Sequence, residues 1–489
     1  MKLVDNRHRF LFVWTVLLGG CASLKNDAKI SADPAHLWQP THASQTTVSS
    51  TLTSIDETLG PSAEGTGTGI DAAIPKQPYS LPDRIALGLS RNLQTRVAWW
   101  QAKRALAQSE RAKTPYYPTL TATLGANRTQ TGAVFMQPSS QIDTFGPGLS
   151  VTYRLFQFGA DKAQAESAAC TLASANYAFN HQLQTAVYSI QLNYYRYASA
   201  VAKIEAQQSN VEDAAAAFHA IEGRRKNGLA SVQDFLSAEA NKLQAEYDLK
   251  VAQSELERYR ADLALSVGVP ISNDFQVDVV FNDASILVEE VETLMEKALQ
   301  SRSDLLSKEE ALHAADWAHL KTEREQWPSV NVTGTVNTLK YRHYPHWQNN
   351  YTVGINLSWD IFSGFEKQYK ELEQYAAMKE KRFELHQLQL KILGDVWSEF
   401  HAFQAVKKSF SVAQALETAS RKSYEAIQMG YESGLNNVLE LLDAQSKLAQ
   451  ARLQRIRSQS DLCIHWAQLA YVAGQMMPPP STPNEDSSF

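Results

Sequence analysis

The sequence consists largely of two similar halves, and this internal repeat restricts the possible folds more than any other feature. The segment Phe145–Phe156 aligns with Tyr351–Phe362 at an offset of 206 residues. Much further along the chain, Gly228–Leu236 aligns with Gly434–Leu442 at the same offset of 206. Two halves with the same order and the same spacing indicate one duplicated structural unit.

Each half predicts the same order of elements, beginning with a helix. This helix is predicted at residues 82–115 and again at 289–325, because both stretches are rich in Ala, Leu, Gln, Lys and Arg. A proline follows each of them, at Pro118 and Pro328. The predicted boundaries are 80–270 for the first repeat, 271–287 for a linker, 288–475 for the second repeat and 476–489 for a flexible tail.

Two strands are predicted after each of these helices, because apolar and polar residues alternate there. The clearest examples are Leu149–Leu155 and Ile355–Ile361, and the other two strands begin near Leu120 and Val330. Such alternation is typical of strands that separate lipid from a water-filled lumen. Four strands cannot close a barrel, and open sheet edges cannot face lipid. We therefore expect several chains to share one barrel.

The remainder of each half predicts two long helices that run in opposite directions. The first spans about residues 160–226 and 366–431, and neither stretch contains a proline. About 65 helical residues extend over roughly 100 Å. A short turn at Gly228 or Gly434 then leads into a second helix of about 35–40 residues. Helices of this length need neighbours along their whole length, so we expect coiled-coil packing.

The N-terminus has the pattern of a bacterial secretion signal. Basic residues precede the apolar stretch Phe10–Leu18, which is too short to span a membrane. Leu18-Gly-Gly-Cys21 resembles the lipobox of bacterial lipoproteins, so we predict a signal peptide at 1–20 and a lipid on Cys21. The alternative is a plain signal peptide with an incidental cysteine. Residues 21–79 are polar and rich in Ser, Thr, Pro and Gly, which is typical of a tether or wrapping segment.

The repeated order of helix, two strands, long helix, glycine turn and helix resembles the TolC outer-membrane factor family over about residues 80–475. The resemblance implies an α+β membrane protein, in which a homotrimer forms a transmembrane β-barrel of twelve strands and a periplasmic α-barrel of twelve helices. It also implies an exit duct in the outer membrane of a Gram-negative bacterium. Its expected partners are outer-membrane lipid, a periplasmic adaptor (membrane fusion protein) and an inner-membrane transporter of the RND or ABC type. Cys21 matches the lipidated subset of the family.

In that family the glycine turns form the periplasmic tips, where the duct is gated. By position relative to Gly228 and Gly434, the resemblance assigns Asp234 and Tyr431 to a locking pair. It assigns Glu440 and Asp443 to two acidic rings, and their spacing of three residues places them on one helix face. Asn436 stands where the family often has an arginine, so the resting gate is expected to be either looser or tied differently. The alternatives are a solvated helix face for the acids and a packing aromatic for Tyr431.

Other functions have weaker support in the sequence. The net charge of −6 argues against nucleic acid as a partner, and no enzyme motif is present. We expect no catalytic residue, no metal site and no cofactor beyond the lipid, although His343 and His346 offer a minor metal alternative. Cys170 and Cys463 are expected at different heights along the helices, about 40 Å apart, and so are a poor disulfide pair.

A periplasmic coiled-coil lipoprotein that acts as an adaptor or scaffold, without a pore, remains the competing hypothesis. It would share the signal peptide, the lipid and the long helices. The two equivalent strand pairs favour the duct, because an adaptor has no need of an apolar face directed toward lipid. The sequence does not identify the cargo, which an outer duct receives from its pump and adaptor.

Overall fold

The computed structural model describes residues 35–38, 81–132, 140–271, 290–342 and 344–476. Its helices are α1 (Leu81–Arg91), α2 (Leu93–Ala112), α3 (Ala160–Lys226), α4 (Val232–Val267), α5 (Val291–Ser301), α6 (Ser303–Arg324), α7 (Glu366–Glu432) and α8 (Val438–Val472), with a 3-10 turn at Thr114–Tyr116. Its strands are β1 (Thr119–Thr131), β2 (Ser140–Phe156), β3 (Ser329–Tyr341) and β4 (Trp347–Ser358). The predicted signal peptide, Cys21 and nearly all of the linker and tail lie outside the described residues.

The chain divides into two compact units, and each contains segments of both sequence halves. The first unit comprises residues 1–99, 179–302 and 392–489, and the second comprises 100–178 and 303–391. Within the described residues, the second unit contains the four strands. The first unit contains the turns at Gly228 and Gly434.

The four strands form one antiparallel sheet in the order β1-β2-β3-β4, with β1 and β4 at the edges. The register pairs Leu149 of β2 with Ala122 on one side and Val336 on the other. Because side chains alternate between the faces of a strand, the apolar residues of all four strands share one face. The prediction of four strands with one apolar face is confirmed.

One strand is shorter than the sequence predicted. The alternation continues through Trp359 and Ile361, but β4 ends at Ser358. The indole Nε1 of Trp359 donates to the carbonyl oxygen of Gln326 at 3.2 Å, just past the end of α6. The chain therefore turns away from the sheet although the periodic pattern persists.

The first predicted helix of each half is in fact two helices, so this prediction was wrong in detail. Asn92 interrupts the first, and its amide Nδ2 donates to the carbonyl oxygen of Ser266 at 3.1 Å. Arg302 interrupts the second, and its Nη1 donates to the carbonyl oxygen of Val472 at 3.0 Å. Each interrupting residue thus caps the last turn of the returning helix in its own half. Asn92 also has a local role, since its Oδ1 accepts from the N–H groups of Gln94 and Thr95 at 2.8 and 3.3 Å and so caps the start of α2. Each break thus coincides with a contact between distant parts of the chain, and the one at Asn92 also with a local helix cap.

The long helices agree with the prediction to within one residue. Both α3 and α7 contain 67 residues. In the first unit, Leu183, Ile190 and Tyr197 of α3 are buried at intervals of seven residues. This spacing is the heptad period expected of coiled-coil packing. No helix within the described ranges is long and apolar enough to cross a bilayer.

A short N-terminal segment, residues 35–38, packs on the first unit. The backbone N–H of Trp38 donates to Oδ1 of the buried Asn180 at 2.7 Å, and Nδ2 of Asn180 donates to the carbonyl oxygen of Trp38 at 2.8 Å. Ala35 and Leu37 contact the apolar core of the same unit. The Asn180 side-chain amide therefore satisfies both the N–H and the carbonyl oxygen of Trp38, as the backbone of a neighbouring β-strand would.

Candidate gate at the helix turns

The turns between the long helices have the same backbone geometry in both halves. Gly228 and Gly434 adopt positive φ angles of 72° and 77°. The N–H of the following residue donates to the carbonyl five positions back, from Leu229 to Arg224 at 2.8 Å and from Leu435 to Gly430 at 2.7 Å. This is the Schellman arrangement, in which a glycine with positive φ ends the helix. The tip turns predicted at Gly228 and Gly434 are therefore present.

A capping box begins each returning helix. The Ser231 hydroxyl accepts a hydrogen bond from the Asp234 N–H at 3.0 Å, and the Asp234 carboxylate accepts from the Ser231 N–H at 3.1 Å. In the second half, Asn437 and Glu440 exchange the equivalent bonds at 2.9 and 3.4 Å. Asp234 and Glu440 are thus equivalent positions of the repeat, although the family resemblance assigns them to different parts of the gate. Each carboxylate stabilises the first turn of its own helix.

The predicted locking pair is not hydrogen-bonded within the chain. Asp234 also accepts from the Ser231 hydroxyl at 2.8 Å, whereas the buried Tyr431 hydroxyl has no hydrogen-bond partner among the described residues. The guanidinium of Arg224 instead lies 4.7 Å from the centre of the Tyr431 ring, and its Nη1 donates to the Tyr431 carbonyl at 2.7 Å. Burial raises the pKa of Tyr431 above its ordinary value, while nearby Arg224 opposes the shift. The locking role of this pair stays a prediction.

Asn436 forms hydrogen bonds within its own turn. Its Nδ2 donates to the Glu440 carboxylate at 2.7 Å, and its N–H donates to the Gly430 carbonyl at 3.2 Å. Gly430 makes room for this side chain, because a Cβ at that position would lie 1.8 Å from the Asn436 Oδ1 atom. The Asn436 side chain and backbone N–H thus stabilise the turn locally, while its role in the gate stays a prediction.

The second predicted acidic position carries its own counter-ion. The Asp443 carboxylate lies 2.7 Å from the Lys447 ammonium, and both side chains are more than half exposed. Exposed pairs of this kind contribute little to stability and are easily screened. Asp443 therefore remains accessible to ions in solution.

The two turns pack against each other around a shared apolar cluster. Its buried members come from all four long helices and include Ala217, Ile221, Ala238, Tyr431, Val438 and Leu441. A polar contact continues the packing further along, where Asn241 Nδ2 donates to Gln445 Oε1 at 2.9 Å. The structure thus brings the predicted gate residues of both halves to one end of the first unit.

Four further residues of this region were not predicted from the sequence. Ser231 and Asn437, each three positions before an acid at a helix start, form a recognisable capping signature. Lys447 lies four residues after Asp443, which is also a readable pairing signal. Arg224 carries no such signal, because its partner Tyr431 lies 207 residues away.

The family model described as outer membrane efflux protein matches residues 85–269 and 294–475, about three quarters of the chain. The chain belongs to this family. Outer membrane efflux proteins are channel proteins of the Gram-negative outer membrane that extend into the periplasm, so the predicted family and location are confirmed.

Similar proteins support the same membership in the outer membrane efflux protein family. Protein CyaE of Bordetella pertussis is 25% identical over 81% of this chain and 84% of CyaE. The pyoverdine export outer membrane protein OpmQ of Pseudomonas aeruginosa is 21% identical over 78% of this chain and 82% of OpmQ. The CmeC outer membrane channel of Campylobacter jejuni superposes with a TM-score of 0.73 at 17% identity, covering 90% of this chain and 96% of CmeC. The predicted TolC-type fold is confirmed.

The remaining site predictions are not decided by these observations. Cys21 and His343 lie outside the described residues, so the lipid and the minor metal alternative stay predictions. Within the described residues, no group of three or more His, Cys, Asp or Glu side chains is placed to hold a metal ion. Cys170 and Cys463 take part in no disulfide there, and burial raises the pKa of Cys170 to about 11.

Proposed function

We propose that three copies of this chain form the outer-membrane exit duct of a tripartite efflux or type I secretion system. In this assembly the sheets combine into one transmembrane barrel, and the long helices continue the channel through the periplasm. A periplasmic adaptor and an inner-membrane transporter of the RND or ABC type would deliver the substrate.

The observation that carries this proposal is the exposed apolar face of the sheet. Tyr351 and Ile355 of β4 are 82% and 71% exposed, and the neighbouring apolar residues of the sheet are also exposed. An exposed apolar surface that extends across neighbouring strands is unfavourable in water and indicates a lipid or protein interface. The opposite face carries Ser150, Thr152 and Thr333, as a water-filled lumen requires.

The open sheet edges support sharing of the barrel. Strands β1 and β4 are edges in one chain, so each has backbone groups without a ladder partner on its outer side. In lipid, every such group needs a hydrogen-bond partner. Pairing β4 of one chain with β1 of the next removes both edges, and three chains of four strands give the twelve-stranded barrel implied by the family resemblance.

The placement of residues 35–38 is compatible with a lipid on Cys21. Sixteen residues lie between Cys21 and Trp38, and the connecting chain reaches at most roughly 60 Å. Asn180, which holds Trp38, lies 20 residues from the start of α3, or about 30 Å along the helix. The tether is therefore long enough to reach the membrane end of α3.

Among the similar proteins described above, one is named after the molecule that it exports. OpmQ is a pyoverdine export protein, and we infer a small-molecule cargo for this chain on that ground and on the proposed lipid anchor. The pump and adaptor, rather than the duct, would select the molecule.

The duct and the adaptor hypothesis differ in one measurable property. We expect the full-length chain, with Cys21→Ser, to remain in the outer membrane until detergent extracts it, because the sheet itself is embedded. The extracted protein should run as a heat-modifiable trimer and conduct ions in a planar bilayer. A water-soluble, non-conducting Cys21→Ser protein would instead support the adaptor hypothesis and overturn the duct.

A further inference from the structure

A group of charged residues lies on the apolar face of the sheet, at the end farthest from the helices. Arg128 of β1 pairs in register with Asp143 of β2, and Asp143 occupies the same face as Leu149 and Val151. Lys340 of β3 is in register with Phe145 of β2, also on that face. We call Arg128, Asp143, Lys340 and Arg342 the cationic cluster.

The acid of the cluster is covered and its cations are exposed. Arg128 donates through Nε and Nη2 to the two Asp143 oxygens at 2.7 and 2.9 Å, and Arg342 Nη1 donates to Oδ2 at 3.2 Å. The side chains of Arg128 and Arg342 are 63% and 62% exposed, against 18% for Asp143. Asp143 therefore orients two guanidinium groups, while more than half of each of these cationic side chains stays exposed.

The cluster carries excess positive charge. The cluster contains three cations and one carboxylate, and Lys340 is exposed with no ion pair within the described part of the chain. A net positive group beside an apolar surface is costly unless it meets an anion or water. The cluster thus has the charge to bind an anionic group, and Asp143 alone does not neutralise it.

The surroundings of the cluster are those of a membrane interface. Lys340 is in register with Phe145 on one side and Trp347 on the other, and these two half-exposed rings lie 6.4 Å apart. Arg128, Asp143, Phe145, Lys340 and Arg342 line a recess of about 410 Å³. Aromatic rings next to an apolar band mark the level of the lipid headgroups.

We infer that the cationic cluster binds the phosphate of a glycolipid in the external leaflet of the outer membrane. The apolar residues beside the recess would contact its acyl chains, the aromatic rings would lie at the interface, and the free guanidinium donors and Lys340 would hold the phosphate. The inference rests on the proposed insertion of the sheet into the outer membrane, with the strand hairpins outward.

The test is native mass spectrometry of the full-length trimer in detergent, titrated with lipid A that carries two phosphates. The double variant Arg128→Gln/Arg342→Gln should bind this lipid about tenfold more weakly than the natural sequence. The matched control is Arg154→Gln, which removes a cation from the opposite face of β2 and should leave binding unchanged. Lipid A stripped of phosphate should bind the natural sequence as weakly as the double variant binds the intact lipid.

Several results would overturn the lipid site. These are equal binding of the stripped lipid, an equal loss in Arg154→Gln, or displacement by inorganic phosphate at the concentration of the lipid. Heat-modifiable migration shows whether each variant has folded as a trimer. Ion conduction measured on the same samples separates the two proposals: a conducting trimer without phosphate preference contradicts the lipid site alone, whereas a chain that forms no conducting trimer contradicts the duct.

Discussion

At the scale of single residues, the two acids at the second turn differ in what surrounds them. Glu440 accepts hydrogen bonds from the amides of Asn436 and Asn437 at 2.7 and 3.1 Å, so its carboxylate also fixes the turn. Among the described residues, the Asp443 carboxylate forms an ion pair only with the exposed Lys447. A test of the acidic rings must therefore remove the negative charges and keep the capping box between Asn437 and Glu440.

Glu440→Gln combined with Asp443→Asn meets that condition, because glutamine can also complete a capping box. In a trimer the change removes six carboxylates, and we expect the preference for cations over anions to fall. The measurement is the reversal potential of the full-length channel in a planar bilayer under a salt gradient. The control is Glu257→Gln, an exposed acid that is paired three residues away with Arg260. A reversal potential unchanged from the natural sequence would place the ion-selective region elsewhere.

The Tyr431 hydroxyl gives a second prediction at this scale. It is buried without a hydrogen-bond partner in the described chain, so Tyr431→Phe removes no hydrogen bond within one chain. If a neighbouring chain supplies the partner that locks the gate, the same substitution should increase the open fraction in single-channel recordings. Tyr424→Phe, in the same apolar cluster, is the control and should leave the open fraction unchanged. An equal response of both variants would contradict the lock.

At the scale of elements, the long helices were predictable and the short helix breaks were not. The bounds of α3 and α7 follow from local composition, since no proline interrupts 67 residues in either. At both breaks the interrupting residue, Asn92 or Arg302, also reaches a carbonyl oxygen far along the chain, 174 and 170 residues away. Asparagine is a favoured N-cap, and Asn92 caps α2 locally, whereas arginine is a good helix former and the break at Arg302 coincides with its tertiary contact. The glycine turns were visible in the sequence, whereas the partner of Arg224 was not.

Two helical glycines near the turns provide the prediction for these elements. An alanine at Gly430 would place its Cβ 1.8 Å from Asn436 Oδ1, while a Cβ at Gly223 would meet nothing within 4 Å. Gly430→Ala should therefore displace Asn436 from Glu440 and loosen the turn, lowering the melting temperature and raising the open fraction. Gly223→Ala should raise stability slightly, by up to about 1 kcal/mol per chain, through its better helix propensity. Calorimetry gives the melting temperature, and single-channel recording gives the open fraction. If the two variants have the same melting temperature and the same open fraction, Asn436 does not stabilise the turn.

At the scale of the whole molecule, the attachment of residues 35–38 links the N-terminal segment to the folded unit. Asn180→Ala removes both hydrogen bonds to the Trp38 backbone and leaves its N–H and carbonyl without those partners. Such losses cost roughly 1–3 kcal/mol. Because 1.4 kcal/mol corresponds to a tenfold change in an equilibrium, we expect chymotrypsin to cut after Leu37 or Trp38 about tenfold faster in this variant.

Gln182→Ala is the control for this prediction, since it lies on the same helix and its exposed amide bonds only to Gln94 in the described structure. It should be cut at the rate of the natural sequence, and both variants should keep the melting temperature of the trimer. Equal cleavage of Asn180→Ala and the natural sequence would mean that Ala35 and Leu37 hold the segment by apolar packing alone. The two hydrogen bonds between Asn180 and Trp38 would then not stabilise the attachment of the N-terminal segment, and other polar side chains at position 180 should serve equally well.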